Sequence, residues 1–86
     1  MTANPYRTEI DELKKELLEG LNIAREFTPD YTELEFSKII ASECHRLNIK
    51  FNAIRRSGGH ADDNLRIAIF AHKELAEELG GEKITL

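Results

Sequence analysis

Tryptophan is missing from this chain, cysteine occurs once, and proline occurs only at Pro5 and Pro29. The lone Cys44 excludes an internal disulfide and fits a reducing compartment. Aromatic residues are confined to Tyr6, Phe27, Tyr31, Phe36, Phe51 and Phe70, so a core has to be assembled mainly from Leu, Ile and Ala. No apolar run approaches the length that crosses a bilayer, and the leading Met-Thr-Ala-Asn-Pro lacks the apolar centre of a signal peptide. The cytoplasm is therefore the expected location, with no membrane partner. Positive charge is the minority: 12 Lys and Arg against 16 Asp and Glu leave a net charge of −4, a field that repels nucleic acid and anionic lipid. A length of 86 residues allows one domain, 1–86, at a size where a single core is barely sufficient and a second copy often completes the burial.

What is present is helical periodicity. Residues 1–5 form a polar lead in which Pro5 suits a first helical turn and Asn4 can cap it. From about Tyr6 to Phe27, the residues Tyr6, Ile10, Leu13, Leu17, Leu21 and Ala24 share one stripe at about 100° per residue, with Leu18 and Ile23 off it. Thr28-Pro29-Asp30-Tyr31-Thr32 breaks that pattern. Thr32 with Glu35 then spells a capping box, which starts a second helix running to about Arg56. Its apolar seam, Phe36, Ile40, Cys44, Leu47, Phe51 and Ile54, has near-heptad spacing.

Ser57-Gly58-Gly59-His60-Ala61-Asp62-Asp63 predicts a helical hairpin, because adjacent glycines close one helix and an aspartate caps the next. The third helix is expected from about Asn64 to Leu79. Leu65, Ala68, Ile69, Leu75, Ala76 and Leu79 fall on one face, and Ile67, Phe70 and Ala71 point the other way. A helix apolar on both sides lies between two neighbours, either both from its own chain or one from a partner. Gly80-Gly81 ends it, and residues 80–86 read as a tail that frays or adds a strand to something else. The fold class is all-α, a small bundle of three main helices completed by self-association.

Cys44, His45, His60 and His72 carry the side chains suited to metal binding or nucleophilic chemistry. Adjacent Cys44 and His45 diverge by about 100° on a helix, which does not match paired zinc ligands. No His-Glu-x-x-His, Glu-x-x-His, phosphate-loop or Gly-x-Ser-x-Gly pattern accompanies them. No catalytic residue, metal or cofactor is assigned, and a small metal- or ligand-binding helical protein using these four residues stands as the alternative. Cys44 lies on the apolar seam and reads as a small hydrophobe. His72, among Ile69, Leu75 and Ala76, reads as a core or interface histidine with a hydrogen-bond partner. Glu43 borders the seam with Arg46 and Lys50 alongside to neutralise it. His45, Arg46, Lys50, Arg55 and Arg56 spread around the axis near a helix C-terminus, where the dipole favours positive charge. They suit steering of a protein partner better than binding of nucleic acid.

Arg25-Glu26-Phe27-Thr28, the run Leu47-Asn48-Ile49-Lys50-Phe51-Asn52-Ala53-Ile54, the turn Ser57-Gly58-Gly59-His60, the run from Asp63 to Ala71, and Glu74-Leu75-Ala76-Glu77-Glu78-Leu79 together resemble the ZapA family. These are bacterial cell-division proteins that associate with the division ring and form dimers and tetramers through helices. The resemblance spans residues 25–79 and implies self-association and a cell-division role. The family's strand-forming N-terminal segment is replaced here by helical residues 6–27, and His72-Lys73-Glu74 stands where Ala-Leu-Asn is common. These readings together predict a non-enzymatic interaction, scaffold or regulatory module. It would form a homo-oligomer, dimer or tetramer, through Phe36, Ile40, Leu47, Phe51, Ile54, Ile67 and Phe70.

Overall fold

Thr32 and Asp62 start helices in the way their side chains allow. Glu35 N–H donates to Thr32 Oγ1 at 3.1 Å while Thr32 N–H donates to Glu35 Oε2 at 2.9 Å, a complete capping box. Asn64 N–H donates to Asp62 Oδ1 at 3.0 Å. The computed structural model describes residues 5–86 and contains α1 (Arg7–Phe27), α2 (Glu33–Arg56) and α3 (Asp63–Glu78), with no strand among the described residues. Each boundary lies within one residue of its sequence-based expectation. Asn4, expected as the first cap, lies outside the described residues; α1 begins after Tyr6, whose side chain makes no cap.

One device ends both α2 and α3. Gly58 and Gly80 take positive φ, 82° and 95°, a conformation open to glycine without a Cβ clash. The N–H groups that follow turn back onto the helix: Gly58 to Arg55 O and Gly59 to Ile54 O, Gly80 to Glu77 O and Gly81 to Ala76 O. This is the Schellman pattern, and it satisfies carbonyls that a helix end otherwise leaves open. The first copy folds α3 back antiparallel on α2. The second turns the tail back toward α2.

Small residues on α2 make the crossing with α3 close. Ser37 is fully buried and its Oγ donates to Ala76 O at 2.6 Å; the Cys44 thiol donates to Ile69 O at 3.5 Å. Side chains this short reach a neighbouring helix's backbone only when the two axes are near each other. α1 lies on another side of α3 and runs in the same direction, with Tyr6 beside Asp63 and Lys14 beside Glu78. The buried cluster joins Leu21 of α1, Phe36, Ile40 and Cys44 of α2, and Ile69, Leu75 and Ala76 of α3. The two neighbours expected for α3 therefore both come from its own chain.

The tail packs on its own chain: Ile84 is 5% exposed within the core cluster, and its N–H donates to Glu77 Oε2 at 2.7 Å. The reason is the Gly80-Gly81 turn, which reverses the chain and returns Ile84 to the side of α3. Gly81 is needed there because a Cβ on it would collide with Ser37 Oγ and lie 2.8 Å from the Ala76 carbonyl oxygen. Gly81→Ala is expected to lower stability by about 1–3 kcal/mol, the usual range for overpacking. Ser37→Ala removes one of the two obstacles. In urea titrations the double variant should therefore lose less than the sum of the single losses, and strict additivity would show that the two sites do not touch.

Candidate interaction surface

The four residues suited to metal or nucleophilic chemistry divide between core and surface. Cys44 is fully buried, and burial pushes its thiol pKa up, so at neutral pH it remains a protonated donor to Ile69 O. His72 is 8% exposed, with Nδ1 2.7 Å from Ala68 O. A carbonyl only accepts, so Nδ1 carries the proton of that bond. His45 is exposed beside the tail, and His60 is exposed in the α2–α3 turn. Among the described residues no group of three His, Cys, Asp or Glu is placed to hold a metal ion.

The residues expected to join chains divide into two groups. Phe36 and Ile40 are buried in the core of a single chain, and Leu47 and Phe51 pack against that core half-buried. The first half of the near-heptad seam of α2 is thus covered by α3, α1 and the tail, a covering surface that periodicity alone does not reveal. Ile54 and Ile67 are half-buried, and Phe70 is 41% exposed. Phe70 lies with Leu86 at a recess of about 260 Å³ that also includes Asn48, Phe51, Arg55 and Arg66. Both guanidiniums approach the Phe51 ring, at 5.7 Å for Arg55 and 5.4 Å for Arg66, within cation–π range.

Ion pairs missed by sequence reasoning hold the outer elements to α3. Glu74 accepts from Arg7 at 2.6 and 3.1 Å and from Lys14 at 3.2 Å, and Lys14 also pairs with Glu78. Lys73 pairs with Glu77 at 3.2 Å, the same carboxylate that accepts the Ile84 N–H. The expected neutralisation of Glu43 is seen in its bidentate pair with Arg46. No local pattern marks Glu74 as a partner of Arg7, 67 residues away. The small Ser37, set between polar and apolar positions, gives a faint sign of close packing at most.

What faces water is patterned as well. The outer side of α2 carries Ile39 at 58% and Ile49 at 66% exposure, and α1 ends in Phe27 at 82%. Acidic Glu33 and Glu35 stand at the start of α2, while Lys50, Arg55 and Arg56 stand near its end. A groove of about 590 Å³ runs between the first half of α2 and the tail, with Leu34, Lys38 and His45 on one wall and Lys83 and Thr85 on the other. It is open, and its base is the Ser37 to Gly81 contact already described.

Two measurements check this arrangement. The Arg7 guanidinium, then Lys14, holds the Glu74 carboxyl below its ordinary value, and the Ile84 N–H, then Lys73, does the same for Glu77. A depressed carboxyl contributes stability that is complete above the unfolded pKa of about 4.3 and is lost as pH falls through the folded pKa. Glu74→Gln should therefore flatten the loss of thermal stability below about pH 4.5 relative to the unmodified chain; an unchanged acid slope would show that the Arg7 contact does not persist in solution. Cys44 should react with a thiol reagent roughly a hundredfold slower than a free cysteine, the factor for a local opening of about 3 kcal/mol. Rapid alkylation of the folded protein would contradict its burial.

Comparison with protein-family models, with curated proteins and with solved structures found no match to this chain.

Proposed function

We propose that this chain is a non-enzymatic helical interaction module that acts first by associating with itself, as a scaffold or regulatory element. The observation that supports this reading is the outer side of α2, where Ile39 and Ile49 stay in water although the core of the chain is complete without them. Scattered apolar residues are common on surfaces, but two large aliphatic side chains on one side of a 24-residue helix, flanked by opposite charges, form an organised surface. A second open face exists around Phe70 and Leu86. The cell-division role implied by the ZapA-like residues is the specific form of this proposal; most of those concentrated at 63–79 lie on α3, which its own chain largely covers.

The metal- or ligand-binding alternative using Cys44, His45, His60 and His72 has less support, since among the described residues no three His, Cys, Asp or Glu are placed to hold a metal ion. Light scattering over a dilution series should show a mass moving from two chains of 9.8 kDa to one. The midpoint should lie at a dissociation constant of roughly 10–100 µM, fitting a small interface. A mass of one chain up to about 1 mM would overturn self-association, because a contact weaker than about 4 kcal/mol has no standing as a specific dimer. Stoichiometric metal in the purified protein would instead favour the alternative.

A further inference from the structure

α2 carries a second heptad stripe on the side away from its seam. Ile39, Ser42, Arg46, Ile49, Ala53 and Arg56 follow one another at alternating intervals of three and four residues, Glu35 precedes them by four, and every one of these side chains is exposed. The seam that faces α3 uses other positions, so α2 is patterned for two helical neighbours and has only one of them along its length within the chain. We propose that the missing neighbour is α2 of a second copy, packed antiparallel about a twofold axis near residue 44. This rests on the self-association reading and names its surface.

The direction follows from the charges. A parallel pair would set Arg46 against Arg46, Arg56 against Arg56 and Glu35 against Glu35, with both helix dipoles aligned. An antiparallel pair reverses each of these. With Ile39 opposite Ile49 of the partner subunit, the same register sets Ser42 opposite Arg46 of the partner subunit. It also sets Glu35 opposite Ala53 of the partner subunit, one turn from the partner's Arg56. The acidic start of each α2 then lies beside the basic end of the other, and opposed dipoles attract. Ser42 and Ala53 are small enough for the axes to approach. Arg46, already paired with Glu43 in its own chain, meets the symmetry-related pair at the axis, so two positive and two negative groups gather there without net charge. The contact is isologous, hence closed as a dimer.

The test uses the full chain. Ile39→Asp and Ile49→Asp should each weaken the dimer at least tenfold in light scattering while leaving helical circular dichroism and the urea midpoint unchanged, because both side chains face water in the monomer. Phe70→Asp should leave the dimer intact. The register is checked by oxidation: Ile39→Cys combined with Ile49→Cys should give a covalent dimer. Ile39→Cys alone should not, since the two introduced thiols would stand about 15 Å apart, far beyond disulfide reach. Buried Cys44 does not compete. A wild-type dimer that survives both aspartates, or that only Phe70→Asp splits, overturns this surface while self-association stands. Ready cross-linking of the single Ile39→Cys variant overturns the antiparallel direction. A monomeric wild-type chain overturns both proposals.

Discussion

The carbonyl oxygen of Ala76 is the point on which the structure converges. It accepts from Ser37 Oγ of α2 and from the Gly81 N–H that starts the tail, so one oxygen sets both the α2–α3 crossing and the chain reversal after α3. A buried hydroxyl needs a partner, and a carbonyl with two lone pairs can serve two donors. The arrangement requires a small side chain on α2, a small one on α3 and none on residue 81. A larger residue at any of the three would push the helices apart and carry Ile84 out of the core.

Against that frame the salt bridges are secondary. Exposed and half-exposed ion pairs contribute about 0–1 kcal/mol each, whereas full burial of an Ile or Leu side chain contributes roughly 1.5–3 kcal/mol. Ile10 and Leu21, both almost completely buried, therefore supply most of what holds α1, and Arg7 and Lys14 with Glu74 and Glu78 set its rotation and height on α3. The same division holds at the tail. Ile84 supplies apolar burial, and the Glu77 carboxylate fixes the backbone by accepting its N–H.

The proposed function rests on a difference between the two sides of α2. Its inner seam packs on its own chain, fully at Phe36, Ile40 and Cys44 and half-buried at Leu47, Phe51 and Ile54, and its outer stripe mixes two isoleucines with small residues and separated charges. On the proposed reading, assembly through that stripe is reversible, because each chain keeps a complete core when apart. Of the four residues suited to metal or nucleophilic chemistry, Cys44 and His72 are tied into backbone hydrogen bonds in the core, and His45 and His60 lie on the surface.

Local chemistry by itself determined the three helices, their caps at Thr32 and Asp62, and the turn at Gly58-Gly59. A capping hydroxyl, a glycine free of Cβ and a periodic apolar stripe act within a few residues of themselves. The sequence also favoured His72 as a core or interface residue with a hydrogen-bond partner and set Arg46 and Lys50 beside Glu43, of which Arg46, its neighbour along the helix, makes the pair. Tertiary structure alone decided the destination of each apolar face. Phe36 and Ile40 went to the chain's own core, since whether a seam meets its own chain or another depends on how far the hairpin and α1 reach around it. Ile84 joined that core only because two glycines reverse the chain beside Ser37. Glu74 met Arg7 because α1 and α3 run side by side, a pairing between distant residues that no local pattern contains.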